Sequence, residues 1–593
     1  MKFIEFANFL DKVEKENSRN SITQNLADLF KLMTPEEARL AVYMLLGRTA
    51  PVYISQEFNF SVKSIIKALA IFQGRQNNEV QEDFKRIGDL GDVAILVENT
   101  KESSLKVEEV FDYLYKLSRT SGKNSTIEKQ KIYLELLKKS SPREVKYITR
   151  IIMGNLRVGF SLKTILDGLS IALSGDKKLR NIIEYAYGVR ADIGLIAETL
   201  LRDGIEGVTA FKAEAGIPVA SKLVEREKSP EGVIKRMGKC YIQPKFDGLR
   251  VQLHYSKRDF NEGVINKNLN EQGDFDLEPE KPQNVRIFSR NLENITAMLP
   301  DVSAELIKLK VDSIIMDGEA IGIDEKTGKY LPFQETIKRK RKYDIEDMIK
   351  SHPLKVNIFD VLELNGEDIT KLPLEKRLEI LKNIFKEIDS RILTITKTDL
   401  VEDSEKLGSL FNEYTKDNLE GIIAKTIDGI YEPGSRNFEW IKLKASSKSE
   451  MVDSVDAVIM GYFKGGGSRA EFGLGAILLG VYDKDLDKYL SLAKVGTGIT
   501  EAQLKSYKAE IDKHIINEIP KNYSIAKNLL PDVIALPRIV VTIDSDSISK
   551  SKDKDGCGYS LRFPRLTIFN RDKSPEDTTS IEELARMMKL KIN

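Results

Sequence analysis

The apolar residues of this chain change their rhythm twice, and those two changes restrict its architecture more than any single motif. From Met1 to about Glu214 nearly every segment repeats at helical spacing, as Tyr147, Ile148, Ile151 and Ile152 do. Ser125-Thr126-Ile127-Glu128 has the shape of a helix capping box, and Ser141-Pro142-Arg143-Glu144 sets a proline early in the next helix. From about residue 236 to Lys444 strand and helix patterns mix. Beyond Ala445 short apolar runs at 457–460, 476–479 and 539–542 are broken by glycine-rich turns, with one helix-like stretch at 501–516. At 593 residues the chain is too long for one core. The expectation is a multi-domain protein: all-α over 1–215, α+β over 216–445, and a small β-barrel of OB type over 446–593. Gly216, Pro218, Ser229 and Pro230 mark 215–235 as a linker. Residues 256–284, rich in Asn, Asp, Glu and Lys and without period, read as an exposed, mobile loop.

Composition narrows the chemistry. A net charge of +1 gives no global attraction to a polyanion, so any nucleic-acid surface must come from local segregation of charge. Cys240 and Cys557 are the only cysteines, which excludes a disulfide framework or a zinc cluster and suits a reducing compartment. With three histidines, metal chemistry would be carboxylate chemistry, hence Mg2+ or Mn2+. The N-terminus carries an early acid and no sustained apolar run, unlike a signal peptide, and no stretch reaches membrane-spanning length.

The stretch Gln243-Pro244-Lys245-Phe246-Asp247-Gly248-Leu249-Arg250 stands between two strand-like runs, and Asp-Gly predicts a tight hairpin turn in which glycine takes a positive φ. That plants Lys245 at a strand end; taken alone, such a lysine is an exposed hairpin residue. Glu319 and Glu420 each end an apolar strand, where a carboxylate needs a partner or a metal. Ser121-Gly122-Lys123-Asn124-Ser125 opens a helix, as a phosphate site or a plain cap. Gly154-Asn155-Leu156-Arg157-Val158-Gly159 sets an arginine between glycines, for close approach to a duplex or for a simple turn. The basic run Lys338-Arg339-Lys340-Arg341-Lys342 reads equally as a solvated face or a strip along a DNA backbone.

Seven segments then occur in one order: KFDGLR at 245–250, FSRN at 288–291, MDGEA at 316–320, IFD at 358–360, LEGIIAK at 419–425, WIKLK at 440–444 and SLRFPR with NRDK at 560–573. Together they resemble the nucleotidyltransferase motifs of ATP-dependent DNA ligases of the archaeal and eukaryotic replicative type, and the likeness covers almost the whole chain. It implies a helical DNA-binding domain, in which SGKNS and GNLRVG resemble duplex-binding segments, then an adenylation domain and an OB-fold domain. It also implies nick sealing in replication, recombination and repair, with ATP, a divalent ion (Mg2+, with Mn2+ able to substitute) and nicked duplex DNA as ligands. A monomer in the cytoplasm, associated with the nucleoid, is expected.

Within that resemblance Lys245 attacks the α-phosphate of ATP. A lysine of pKa about 10.4 is a poor nucleophile at neutral pH, and lowering it a few units takes roughly 3–4 kcal/mol. Lys442, the arginines and a bound cation are the implied neighbours. Asp247 is implied as a metal or lysine-orienting group, and Glu319 and Glu420 as holders of the ion. Phe359 is the implied adenine platform; Trp440, the only tryptophan, falls inside a motif and reads as a packing residue. Arg250 and Arg290 would hold ribose, phosphate or the 5′ end of the nick, with Arg436 and Lys442 closing from the far side. Lys425 and Lys444 complete the motifs of the middle domain. Arg562, Arg565, Arg571, Asp572 and Lys573, on the terminal barrel, are expected to swing over the site during self-adenylation, hinged at 445–448.

The departures matter as well. The family usually has glutamate where this chain has Gln243; an amide can donate as well as accept, so base selection is expected to be looser, with nucleotides besides ATP admitted. Sliding-clamp docking is in doubt, because the usual paired aromatics are replaced by Lys101-Glu102-Ser103-Ser104-Leu105, and residues 24–30 read as a buried helix. An RNA ligase or capping enzyme shares the lysine motif without needing the helical domain. An NAD-dependent ligase would need a zinc cluster, and a non-catalytic scaffold would not need Lys245, Glu319 and Glu420. Duplex binding is expected to depend strongly on salt and little on sequence.

Overall fold

A computed structural model describes residues 1–593 apart from 17, 55, 98–101, 123, 155, 159–160, 228, 261–283, 332, 341–344, 387, 418, 445–453, 466–472, 546, 552–554 and 590–593. The expectations placed on Lys123, Asn155, Gly159, Arg341, Lys342, the hinge at 445–448 and most of the 256–284 loop therefore lie outside the described residues.

From Phe3–Glu14 to Ile193–Thr209 the described elements are helices, packed on one apolar core. Pro142–Ile152 starts with the predicted proline, and Ser141 and Glu144 form a capping box there, whereas the sequence predicts one at Ser125–Glu128 instead. The helix Ser125–Lys139 starts differently: its N-cap is Asn124 in the left-handed region, so Ser125 is already helical and caps nothing. Residues 24–30 are indeed helical, with Leu26, Ala27, Leu29 and Phe30 buried. No helix among the described residues is long and apolar enough to cross a membrane.

The middle of the chain builds two sheets. The strands are β1 (Leu223–Arg226), β2 (Cys240–Lys245), β3 (Leu249–Ser256), β4 (Val285–Ser289), β5 (Ser313–Gly322), β6 (Leu354–Leu364), β7 (Glu367–Asp368), β8 (Leu393–Ile395), β9 (Asp399–Val401), β10 (Gly421–Thr426) and β11 (Arg436–Lys444). One sheet has the order β1-β11-β10-β2-β9; the other has β4-β3-β5-β6-β7, with β8 beside β6. Two predictions fail here. β2 and β3 do not form a hairpin: Asp247-Gly248 carries the chain from one sheet to the other, which places Lys245 at the seam between them. Residues 215–235 are not a loose linker either, because β1 pairs in parallel with β11, and Ser229 caps the helix Pro230–Met237 with proline at its start.

Between Val455 and Arg571 an eight-stranded, mostly antiparallel sheet closes over its own core, with the helix Glu501–Ile511 inserted. That helix stops before Ile515–Ile516, which pairs as a short strand, so the helical stretch read at 501–516 is too long.

Candidate active site

Strand register brings the charged motif residues together. Lys245 ends β2 opposite Gly421 of β10, and the Glu420 N–H donates to the Lys245 carbonyl at 3.0 Å. Gly421 sits at φ 147°, and a Cβ there would lie 2.0 Å from the Leu443 carbonyl oxygen; only glycine lets the strand begin directly after Glu420. In the second sheet Arg250 of β3 stands opposite Glu319 of β5. Glu319 thus projects from within a strand rather than from its end. The IFD segment is anchored from behind, where the fully buried Asp360 takes Arg377 of the helix Leu374–Phe385 in two bonds of 2.8 and 3.1 Å.

Between the sheets lies a cleft of about 130 Å3 lined by Lys245, Asp247, Arg250, Arg290, Glu319, Phe359, Glu420, Lys425, Arg436, Lys442 and Lys444, and roofed by Arg571, Asp572 and Lys573 of the terminal region. Lys245 Nζ donates to one oxygen of Glu420, and Lys444 Nζ meets the other at 2.5 Å. Burial opposes charge on Glu420, but Lys245, Lys444 and then Arg571 outweigh it and hold the carboxyl well below its usual range. The near neighbour of Lys245 is therefore Lys444. Lys442 sits among Lys444, Lys573 and Arg436, and burial with those cations pushes its ammonium well down.

Glu319 behaves differently. Among the described residues it has no cation within ion-pair distance; it accepts the Gly248 N–H at 3.2 Å, and burial pushes it up to about 7 against Lys245 and Arg250. Phe359 stands edge-on to Trp440 at 6.2 Å, with Lys425 Nζ 4.6 Å from its ring centroid and 3.8 Å from that of Trp440. Burial pushes Lys425 down to about 7, against the pull of Asp360. Arg290 reaches Asp577 at 3.4 Å yet keeps its Nε buried without a partner among the described residues, an unmet donor.

Comparison with known proteins decides what such a cleft belongs to. Residues 2–170 match the family "DNA ligase N terminus", 279–444 the "ATP dependent DNA ligase domain", and 470–573 the "ATP dependent DNA ligase C terminal region". A probable DNA ligase of Dictyoglomus turgidum is 39% identical over 99% of this chain and 98% of its own length. The chain belongs to the ATP-dependent DNA ligases. DNA ligase 1 of Methanosarcina mazei (33% identical, 98% of this chain and 99% of its own) and the DNA ligase of Sulfolobus acidocaldarius (34%, 99% and 98%) extend the match into the archaea. This ligase is an ATP-using nucleotidyltransferase that seals nicks in DNA through adenylate intermediates.

The geometry sorts the predicted residues of the ligase. Asp247 is paired with Arg571 at 3.0 Å, so here it docks the terminal region. Arg436 reaches Glu583 of the same region at 3.3 Å. Lys573 is held by the buried Asp456, and burial brings it down to about 8 against that pull. Arg562 and Arg565 lie outside the cleft on exposed positions: a turn through Phe563 at φ 50° separates them, and the strand reaches the cleft only at its far end, Arg571. Gln243 is buried behind the cleft lining, its amide donating to Thr398 Oγ1 at 2.9 Å.

The basic run resolves into separate jobs. Arg339 is buried against Asp301 and the His352 carbonyl, and Lys340 pairs with Glu293 and Asp572, so neither is a solvated face. No group of three or more His, Cys, Asp or Glu side chains converges as a metal site among the described residues. Glu319 nevertheless fits a divalent ion, as a carboxylate in want of a cation, whereas Glu420 has both oxygens taken by lysines. Sequence reasoning missed Asp317, Tyr431, Lys222 and Asp456, each a fully or nearly buried polar side chain behind a cleft residue. Asp317 adjoins Glu319 in MDGEA, the only signal that could have pointed to it.

Proposed function

We propose that Lys245 is the group that carries AMP in this ligase. What supports the reading is one observation: Lys245, Glu420, Lys444 and Glu319 meet in a single cleft roofed by Arg571, Asp572 and Lys573. In the first step the deprotonated Lys245 Nζ forms a bond to the α-phosphorus while the bond to pyrophosphate breaks. Nζ, neutral when it attacks and giving up a further proton to solvent once the P–N bond forms, no longer serves Glu420 as a cation, and one partner of that carboxylate is lost. Lys444 keeps the other oxygen, so the carboxylate stays charged with one side open. Glu319 and that open side of Glu420 would hold Mg2+, with Mn2+ able to substitute; when bound, the ion neutralises charge on the phosphates. Arg290 and Lys573 face the phosphates, and Phe359 stacks on the base. In the second step the DNA 5′-phosphate takes AMP from Lys245, which regains its proton. In the third the 3′-hydroxyl displaces AMP and closes the backbone.

The helices of 1–215 take the DNA-binding role, 216–445 adenylation, and 446–593 the OB-type barrel; the ligase works as a monomer associated with the nucleoid. Gln243 leaves base selection open, which an ATP-against-GTP titration of adenylation decides. The central test is incubation of wild type and Lys245→Ala with α-labelled ATP, Mg2+ and nicked duplex. Protein-linked label and sealing are expected in wild type only; label surviving on Lys245→Ala would remove the reading.

A further inference from the structure

The hydroxyl of Tyr431 stands at the point where the two sheets of the middle region are tied together behind the cleft. It donates to Asp317 Oδ2 at 2.7 Å and accepts from the Lys222 backbone N–H at 3.0 Å and from Arg250 Nη2 at 3.2 Å. One donor and two acceptor positions are all that a phenol offers, so this hydroxyl is saturated. The four residues come from three places: Lys222 leads into β1 of one sheet, Arg250 and Asp317 sit on β3 and β5 of the other, and Tyr431 lies in the connection from β10 to β11. Tyr431, Asp317 and Lys222 are all fully buried.

Arg250 is the member that faces the cleft, with its guanidinium carbon 5.4 Å from the centroid of Phe359. Nε and Nη2 take the two oxygens of Asp317 at 3.2 and 2.5 Å, and Nη1 takes the Lys222 carbonyl at 2.9 Å. With the bond to Tyr431, four of the five guanidinium N–H groups are spent inside the protein. A single N–H on Nη1 is left for a ligand, and its direction is fixed by the other four. A guanidinium clamped in this way is oriented before anything binds, which lowers the cost of binding.

We infer that the Tyr431 hydroxyl is a positioning group for Arg250, and through it sets how tightly the cleft holds its nucleotide. The inference rests on the reading that this cleft takes ATP. Tyr431 touches no reacting atom. Its ring packs edge-on against Trp440 at 5.8 Å, and Tyr431→Phe keeps that packing while removing the hydroxyl.

The test is single-turnover self-adenylation with α-labelled ATP and Mg2+, measured on wild type, Tyr431→Phe, Arg250→Lys and the double variant. Tyr431→Phe is expected to raise KM for ATP about tenfold, while the maximal rate stays within about threefold. Because both changes act through one guanidinium, the double variant is expected within about twofold of Arg250→Lys alone. Asp317→Asn, which weakens the same clamp and leaves Tyr431 in place, is expected to raise KM likewise and serves if Tyr431→Phe does not fold. An unchanged KM in Tyr431→Phe, or in Asp317→Asn where that variant stands in, overturns the inference, as does a double variant whose two effects multiply. Wild type that takes no label at Lys245 is a different result: it removes the parent reading.

Discussion

Gly248 shows how a single residue can be required by its surroundings rather than by its own torsion angles. It is not among the glycines at positive φ, yet a Cβ there would lie 2.4 Å from the Ala320 carbonyl oxygen and 3.0 Å from Glu319 Cγ. Backbone cannot yield by that much, so the connection carrying Lys245 would move away from β5, and the bond from Gly248 N–H to Glu319 would break. For Gly248→Ala the expected outcome is a fall in adenylation rate of about a hundredfold, the usual cost of misplacing a reacting group by about an ångström. Stability would drop by about 1–3 kcal/mol from the overpacking. A labelling rate within about threefold of wild type would show that the close packing does not position Lys245. The Asp-Gly pair was legible as a break between two strands, but neither the hairpin nor the positive φ expected of its glycine is present. Lys245, Glu319 and Glu420 were legible because each lies in a short contiguous pattern. The roles of Asp317 and Tyr431 were not, since the bond between them joins residues 114 positions apart.

Residues 215–235 read as a linker from Gly216, Pro218, Ser229 and Pro230, and β3 explains why the part from Gly216 to Lys222, a connection into β1, is tied down. Alternate residues of a strand share a face; on β3 these include Arg250, Gln252 and His254, and all three bind that connection. Arg250 takes the Lys222 carbonyl at 2.9 Å, Gln252 bonds both N–H and C=O of Val219 at 2.7 and 3.0 Å, and His254 Nδ1 accepts the Gly216 N–H at 3.0 Å. A sequence shows glycine and proline but not the polar side chains that arrive from another strand to satisfy their backbone. Accepting at Nδ1 requires a neutral imidazole, and burial, helped by Arg286, pushes His254 down to about 3. The folded value thus lies below the unfolded one of about 6.5. Stability supplied by neutral His254 is complete above about pH 6.5 and drains away as pH falls toward 3, because the unfolded chain takes up a proton that the folded chain refuses. Between pH 8 and pH 5 the loss from this residue is about 2 kcal/mol. Urea unfolding at the two pH values should show it, and His254→Gln, although less stable at pH 8, should lose that much less on acidification. Equal losses in the two proteins would assign the acid sensitivity elsewhere.

The terminal region is docked on both of the others, and the cleft it leaves, about 130 Å3, is below the roughly 300 Å3 at which ligand pockets begin. We therefore expect the terminal region to shift when a nucleotide enters. Toward the middle region the contacts are Arg571 with Asp247, Arg290 with Asp577 and Arg436 with Glu583. Toward the helices, Arg157 pairs with Glu518 at 2.7 Å, and Asp487 accepts from Ser161 Oγ at 2.8 Å and Thr164 Oγ1 at 3.0 Å at the start of the helix Leu162–Ser174. Arg157 lies in the segment that resembles a duplex-binding loop, and here it is shared between Asp89 of its own region at 2.6 Å and Glu518 of the terminal region. Of these contacts the pair of Arg157 with the exposed Glu518 is a surface pair, worth about 0–1 kcal/mol and screened by salt. Asp487 is 8% exposed and sits at φ 52°, which asparagine tolerates, so Asp487→Asn removes the charge and leaves the turn intact. Apparent affinity for DNA is the intrinsic affinity reduced by the fraction of open molecules. Asp487→Asn is therefore expected to raise the radius of gyration in solution scattering at low salt and to tighten binding of nicked duplex about threefold. Self-adenylation, expected from the family resemblance to use the docked state, should slow by a similar factor. If scattering and DNA affinity both stay at the wild-type values, the contact at Asp487 does not hold the terminal region down, and the balance between docked and open states rests on the pairs around the cleft.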